Sequence, residues 1–211
     1  MPLISRRHGS TCRNVVALVF ATVLVASCAK GATPTPAHGP ESTAQVYRAI
    51  LELIAASDTA AGKLVIQRET EAPVSLLDVP GETPASRFAD IHKQRLTGLS
   101  EQTEQAFWSS NRESAEIDDQ VVARTPARLI SRADFNEKVA RPPDGWETFF
   151  AQNPHSSGVV RLSRVGFGEG GKQALVYYAR ACPLCARSEY ILLQRQDTVW
   201  KVVARSLDTV S

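Results

Sequence analysis

Cys182 and Cys185 in RACPLCARSEY stand at a spacing that serves three chemistries. A C-x-x-C pair is a thiol-disulfide centre when its first sulfur sits at a helix start. It is half of a zinc site when two further ligands join it, and otherwise a small covalent staple. His155, next to Ser156 and Ser157 in NPHSSG, offers an imidazole that titrates near neutrality beside two hydroxyls. A hydrolase draws its general base and nucleophile from such groups, but the same stretch is ordinary turn composition. His92 shares a helical face with Phe88 and Ile91, where a histidine is more often packed or capping than catalytic. In GFGEGGKQ, residues 166–173, Gly166, Gly171 and Lys172 have phosphate-loop spacing, but Gln173 replaces the magnesium-binding Ser or Thr. A strand-like run then follows where a helix must begin, so the glycines read as a hairpin turn needing positive φ and no nucleotide is expected. Gly-x-Ser-x-Gly, His-Glu-x-x-His and an EF-hand loop do not occur in the chain. No catalytic residue, metal or cofactor is assigned.

Which chemistry the cysteines follow depends on compartment. Residues 1–27 contain Arg6, Arg7 and Arg13, no acidic residue, and the short apolar run VVALVFATVLVAS, as an export signal does. That run is too short to span a bilayer, which takes about 20 residues. Val25-Ala26-Ser27-Cys28 resembles the lipobox of bacterial lipoprotein precursors. The resemblance implies cleavage after Ser27, a diacylglyceryl thioether on Cys28, and acylation of the new amino terminus by a chain such as palmitate. Two or more acyl chains hold a protein firmly to a membrane, where one does not. Ala29, in place of aspartate, resembles an outer-membrane address, which in a Gram-negative cell faces the periplasm. Ser5-Arg6-Arg7 lacks the hydrophobic residues that follow a twin-arginine pair, favouring general secretion.

Removing residues 1–27 takes three arginines and turns a net charge of +2 into −1. The mature chain therefore has no basic surplus for nucleic acid. Residues 29–43, AKGATPTPAHGPEST, hold three prolines and no large apolar side chain, and are expected to form a tether with Cys28. His38 lies in it. One globular domain is expected over residues 44–211.

The elements that position the candidate groups follow from periodicity. Val46, Tyr47, Ile50, Leu51, Leu53 and Ile54 recur at helical spacing from Ala44, with Ser42 and Gln45 as a capping box. KLVIQRE, residues 63–69, reads as a strand, followed by a loop with Pro80, Gly81 and Pro84. Thr83 starts a helix carrying Phe88, Ile91 and His92, and Ser100 starts another whose inner face holds Thr103, Phe107 and Trp108. A strand near Ala127 to Ile130 and an aromatic helix from Asp144 to Asn153 follow. The runs 159–167, 173–181, 188–195 and 199–207 have connections too short for crossover helices, which forces antiparallel neighbours. The expectation is an α+β fold: a four-stranded antiparallel C-terminal meander with the N-terminal helices on one face.

In this frame the cysteines sit between two strands, not at a helix start, and no further thiols are at hand in the mature chain for zinc. Outside the cytoplasm an oxidised pair is the default, so a loop disulfide is expected between Cys182 and Cys185.

The C-terminal third is similar to a group of uncharacterised bacterial exported proteins over roughly residues 146–203. The matching positions are Trp146, Phe149, Pro154, Gly158, Ser163, Val165-Gly166-Phe167, Gln173-Ala174-Leu175-Val176-Tyr177, Cys182, Leu184-Cys185, Tyr190, Leu193 and Trp200. Gly168 and Ala186 depart from the asparagine and glycine of that pattern. The resemblance implies a scaffold and an exported location and carries no activity. The expected protein is a membrane-anchored envelope lipoprotein whose domain binds or supports an envelope protein or cell-wall partner. The alternative is a periplasmic enzyme using the cysteine pair or His155.

Overall fold

Residues 173–178 and 189–193 are apolar at almost every position, so strands built from them must be buried on both faces. This requirement organises the computed structural model of the chain, which describes residues 39–57, 63–73, 81–139 and 144–210. The expected signal over residues 1–27, Cys28, His38 and Pro80 lie outside the described residues. The fold is α+β. Among the described residues there are five α-helices and a seven-stranded mixed sheet.

Helix α1 (Pro40–Ser57) starts earlier than the predicted Ala44, because proline is well suited to a first helical position. Ser42 therefore lies inside the first turn and does not cap. Gln45 Nε2 instead donates to Glu41 Oε1 at 3.2 Å. The predicted stripe holds: Val46, Tyr47, Ile50, Leu51 and Ile54 are buried.

Strands β1 (Leu64–Gln67), β2 (Ala127–Ile130), β3 (Val159–Leu162), β4 (Gly166–Phe167), β5 (Gln173–Ala181), β6 (Arg187–Gln196) and β7 (Val199–Val210) form the sheet. Their order is β2-β1-β3-β5-β6-β7, with β4 pairing β5 off this path. The four expected runs do lie side by side and antiparallel. A four-stranded meander is nevertheless the wrong description, because β1 pairs β3 in parallel and β2 extends the sheet beyond it. The run 159–167 also breaks in two. Asn111 takes both backbone groups of Arg164, its Oδ1 accepting from the amide at 2.8 Å and its Nδ2 donating to the carbonyl at 3.0 Å.

Helices cover both faces of the sheet, not one. On the first face α1 packs against Val160, Leu162, Val176, Tyr178, Ile191 and Leu193. The second face is covered by two separate groups. One comprises α2 (Pro84–Arg87), the π-type turn Phe88–His92 that continues it, and α3 (Glu101–Ser110). Its Phe88, Leu96 and Phe107 lie on Leu175, Tyr177, Tyr190 and Leu192. The other comprises α4 (Arg132–Lys138) and α5 (Gly145–Gln152), with Val139 and Phe149 on Val65 and Val159. Thr83, Ser100 and Ser131 cap α2, α3 and α4 with their hydroxyls. Ile91, expected inside with Phe88 and His92, is 37% exposed, because the wider π-type turn keeps only Phe88 and His92 inward.

Gly166 sits where any Cβ would overlap the backbone of Phe107, which lets α3 lie directly on β4. Gly170 and Gly171 adopt φ of 63° and 62° in the turn that leads into β5, as the hairpin reading expects.

Candidate functional site

The two helical groups on the second face leave part of β3 and β5 uncovered between them. Arg161 of β3 lies opposite Ala179 of β5 and points to this face, because its neighbours Val160 and Leu162 face α1. Arg161 Nη1 contacts both carboxylate oxygens of Glu71, at 2.8 and 3.1 Å. The pair forms a waist between two lobes of a cleft. The larger lobe, about 440 Å³, runs toward the end of α3 and the start of α4 and is lined by Gln67, Thr70, Arg112, Arg132 and Phe135 among others. The smaller, about 40 Å³, is bordered by Tyr177, Ala179, Ala186, Ser188 and Thr209.

Behind the small lobe lies a buried polar network. Strand β7 carries an irregularity opposite Ser188 and Glu189, where Asp208 is the extra residue, and such bulges re-aim side chains. Asp208 Oδ1 accepts from His92 Nε2 at 3.1 Å and from Arg87 Nε at 3.3 Å. Its Oδ2 accepts from Tyr177 and Ser188 hydroxyls, each at 3.1 Å. Burial pushes the pKa of this carboxyl up, but donation from His92, Ser188 and Tyr177 outweighs it and holds the pKa below the ordinary aspartate value. Burial likewise pushes the Tyr177 phenol up to about 12, with Asp208 adding to the rise and Ser188 opposing it.

His92 Nδ1 meets Ser206 Oγ at 2.9 Å, so serine, histidine and aspartate are in sequence. A carboxylate only accepts, which puts a proton on Nε2 and leaves Nδ1 free to accept from the serine hydroxyl. The set has the composition of a nucleophile-base-orienter chain. It is closed: His92 and Ser206 are each 1% exposed, and a serine must reach its substrate to attack. Its chemistry is to tie the Phe88–His92 turn to the bulged end of β7.

On the opposite face Glu189, also buried, takes a two-pronged bond from Arg205, with Nε at 2.8 Å and Nη2 at 2.6 Å.

Cys182 and Cys185 lie at disulfide distance, their Cα atoms 5.4 Å apart, in the loop from β5 to β6. Leu184 between them is 92% exposed. Gly158 packs against this loop at Ala181 and Cys182, with φ of 123°. His155 stands on an exposed turn between α5 and β3 with φ of 66°. Ser156 Oγ donates to Gly158 O at 2.9 Å, and among the described residues neither a serine nor an acid is hydrogen-bonded to the His155 ring as a hydrolase requires. Cys28 lies outside the described residues. Sequence reasoning did not single out Arg161, Glu71, Asp208 or Ser206. The visible signals were an arginine inside the otherwise apolar VVRL, and a serine and an aspartate two apart in the last strand.

Among the described residues, no group of three His, Cys, Asp or Glu side chains could hold a metal ion, and no helix is long and apolar enough to cross a membrane. The fold and cleft thus define an α+β domain with an arginine-anchored concavity beside a sealed polar network. No protein-family profile, curated protein or solved structure matches the chain.

Proposed function

We propose that this chain is an envelope lipoprotein, anchored through lipid on Cys28, whose α+β body is a binding or structural module without catalysis. One observation favours binding: the Ser206-His92-Asp208 set is buried, whereas among the described residues the open cleft presents the guanidinium groups of Arg112, Arg132 and Arg161. Arginines and amides bind and orient ligands, and chemistry on those ligands needs more. In this reading Cys182 and Cys185 form a structural disulfide that shapes the β5–β6 loop. Their place between strands, and not at a helix start, deprives the thiols of the dipole that lowers a catalytic cysteine's pKa. The export signal and lipobox-like Val25-Ala26-Ser27-Cys28 support the anchored location.

The test is expression of the full chain in a bacterial host fed labelled palmitate. Label should travel with the protein into the membrane fraction, and Cys28→Ser should lose both label and membrane association. An unlipidated polypeptide beginning at Met1 in the soluble cytosol would overturn the reading, and the oxidised state of Cys182 and Cys185 with it.

A further inference from the structure

We propose that the cleft binds the free carboxylate of a ligand that ends in a small substituent and an acylated nitrogen, with Arg161 as its anchor. This deepens the binding-module reading and rests on it.

A guanidinium offers a rigid fork of donors that matches a carboxylate two bonds at a time. Glu71 does not take the fork; both of its oxygens crowd one nitrogen, Nη1. The buried Nε–H is left with no acceptor among the described residues. Buried donors without partners are rare and each calls for an explanation, and Arg161 itself lines both lobes. Arg161 is partly exposed at 28% of its side chain, so a ligand can reach it.

Charge points the same way. Five arginines border the two lobes against two glutamates, Glu71 and Glu113, so the cleft favours an anion. Shape selects among anions. The small lobe, about 40 Å³, has room for only about three water-sized groups. Its wall of Ala179, Ala186 and the Tyr177 ring suits a methyl, and the hydroxyls of Ser188 and Thr209 suit a hydroxymethyl. The large lobe, about 440 Å³, is within the range of small-molecule sites and takes the remainder. There the exposed Arg112 and Asn136 side chains can meet a peptide-like amide, with Phe135 alongside. The free carboxyl end of a short peptide with a small last residue has this chemistry, and so does a free acylated small amino acid.

The test is calorimetric titration of the full-length protein in detergent with N-acetyl-alanyl-alanine, N-acetyl-alanine, the amide of the dipeptide, and inorganic phosphate. Saturable binding of the dipeptide acid and none of its amide is expected. Tighter binding of the dipeptide than of N-acetyl-alanine identifies a peptide end; equal binding identifies the single residue. Arg161→Gln should weaken binding by at least about tenfold, and Arg161→Lys should not restore it, because an ammonium lacks the fork. Glu71→Gln should tighten binding severalfold by removing the resident carboxylate. Folding of each variant is checked by thermal unfolding, and if Arg161→Gln does not fold, the Glu71→Gln result decides. The inference is overturned if the dipeptide acid fails to bind by about 10 mM, weaker than the millimolar end of specific affinities. It is also overturned if phosphate binds as tightly as the acid, or if Glu71→Gln leaves affinity unchanged or lowers it. A failure here leaves the lipid-anchor experiment standing. Hydrolysis of the dipeptide would instead refute the non-catalytic reading while leaving the site in place.

Discussion

Replacing Asp208 with alanine removes the acceptor that His92, Arg87, Tyr177 and Ser188 share. The four donors do not suffer alike. Arg87 keeps 16% of its side chain exposed and also lies 3.6 Å from Glu82, so it can turn toward water, whereas the His92 side chain is only 1% exposed. Removing one partner of a buried ionic group costs about 3–5 kcal/mol when the other cannot escape. With Arg87 partly relieved, the lower end applies, and Asp208→Ala should lose about 3 kcal/mol. For a domain of this size, that lowers the melting temperature by about 6–12 °C. Asp208→Asn keeps one acceptor and should cost about half as much.

The pH dependence gives a second readout on the same variants. The Asp208 carboxyl has a depressed pKa in the folded protein, so the folded state binds its proton less readily than the unfolded state does. Its contribution is therefore complete above the ordinary aspartate range, about pH 4, and is lost as pH falls through the depressed folded value. Urea unfolding followed by fluorescence of Trp108, Trp146 and Trp200, at neutral pH and at steps below pH 4, measures both effects. The wild type should lose stability over that acid window, and Asp208→Asn should lose less of it. A loss under about 1 kcal/mol for Asp208→Ala, the size of an ordinary substitution, would refute the reasoning. So would acid profiles that superimpose.

Gly166→Ala should destabilise by about 1–3 kcal/mol in the same urea assay, because the added methyl overlaps the Phe107 backbone. Replacing Cys182 and Cys185 together with serine should cost about 2 kcal/mol or less and leave the domain folded, since so short a ring restricts the unfolded chain little. Glu189→Gln should cost about 1–3 kcal/mol, as the partly exposed Arg205 loses a charged partner but recovers some water. Burial raises the phenol pKa of Tyr177 to about 12 and those of Tyr47 and Tyr190 further. The neutral phenols are thus favoured by folding, and stability should be intact below about pH 10 and fall above it, with Tyr177→Phe reducing the loss between pH 10 and 12.

Much of the secondary structure was legible because local rules govern it. The stripe from Val46 to Ile54, the caps at Thr83 and Ser100, and the strands from Val159 onward depend on neighbours a few residues away. The sheet's extension was not legible: nothing local states that Val65 pairs Val159 in parallel, a match made across most of the domain. The two-sided cover was visible in the unbroken apolar runs of β5 and β6, which a meander open on one face does not require. Among the site residues, the cysteine pair that lies at disulfide distance could be read from its spacing. The cleft could not, since Arg161 and Glu71 are brought together by two strands' worth of register and His92 meets Asp208 only through a bulge. Ionic partners so distant in the chain leave no periodic trace.

The parallel join between β1 and β3 has a consequence for how the molecule is made. Strands β5, β6 and β7 follow one another through tight turns and can zip together as soon as they exist. Contacts between neighbours form quickly, whereas pairings between distant segments wait on loop closure and dominate the folding time. A chain delivered amino end first would thus leave the β3-facing edge of β1 unpaired until β3 arrives, a window in which holding partners and competing self-association meet the same exposed strand.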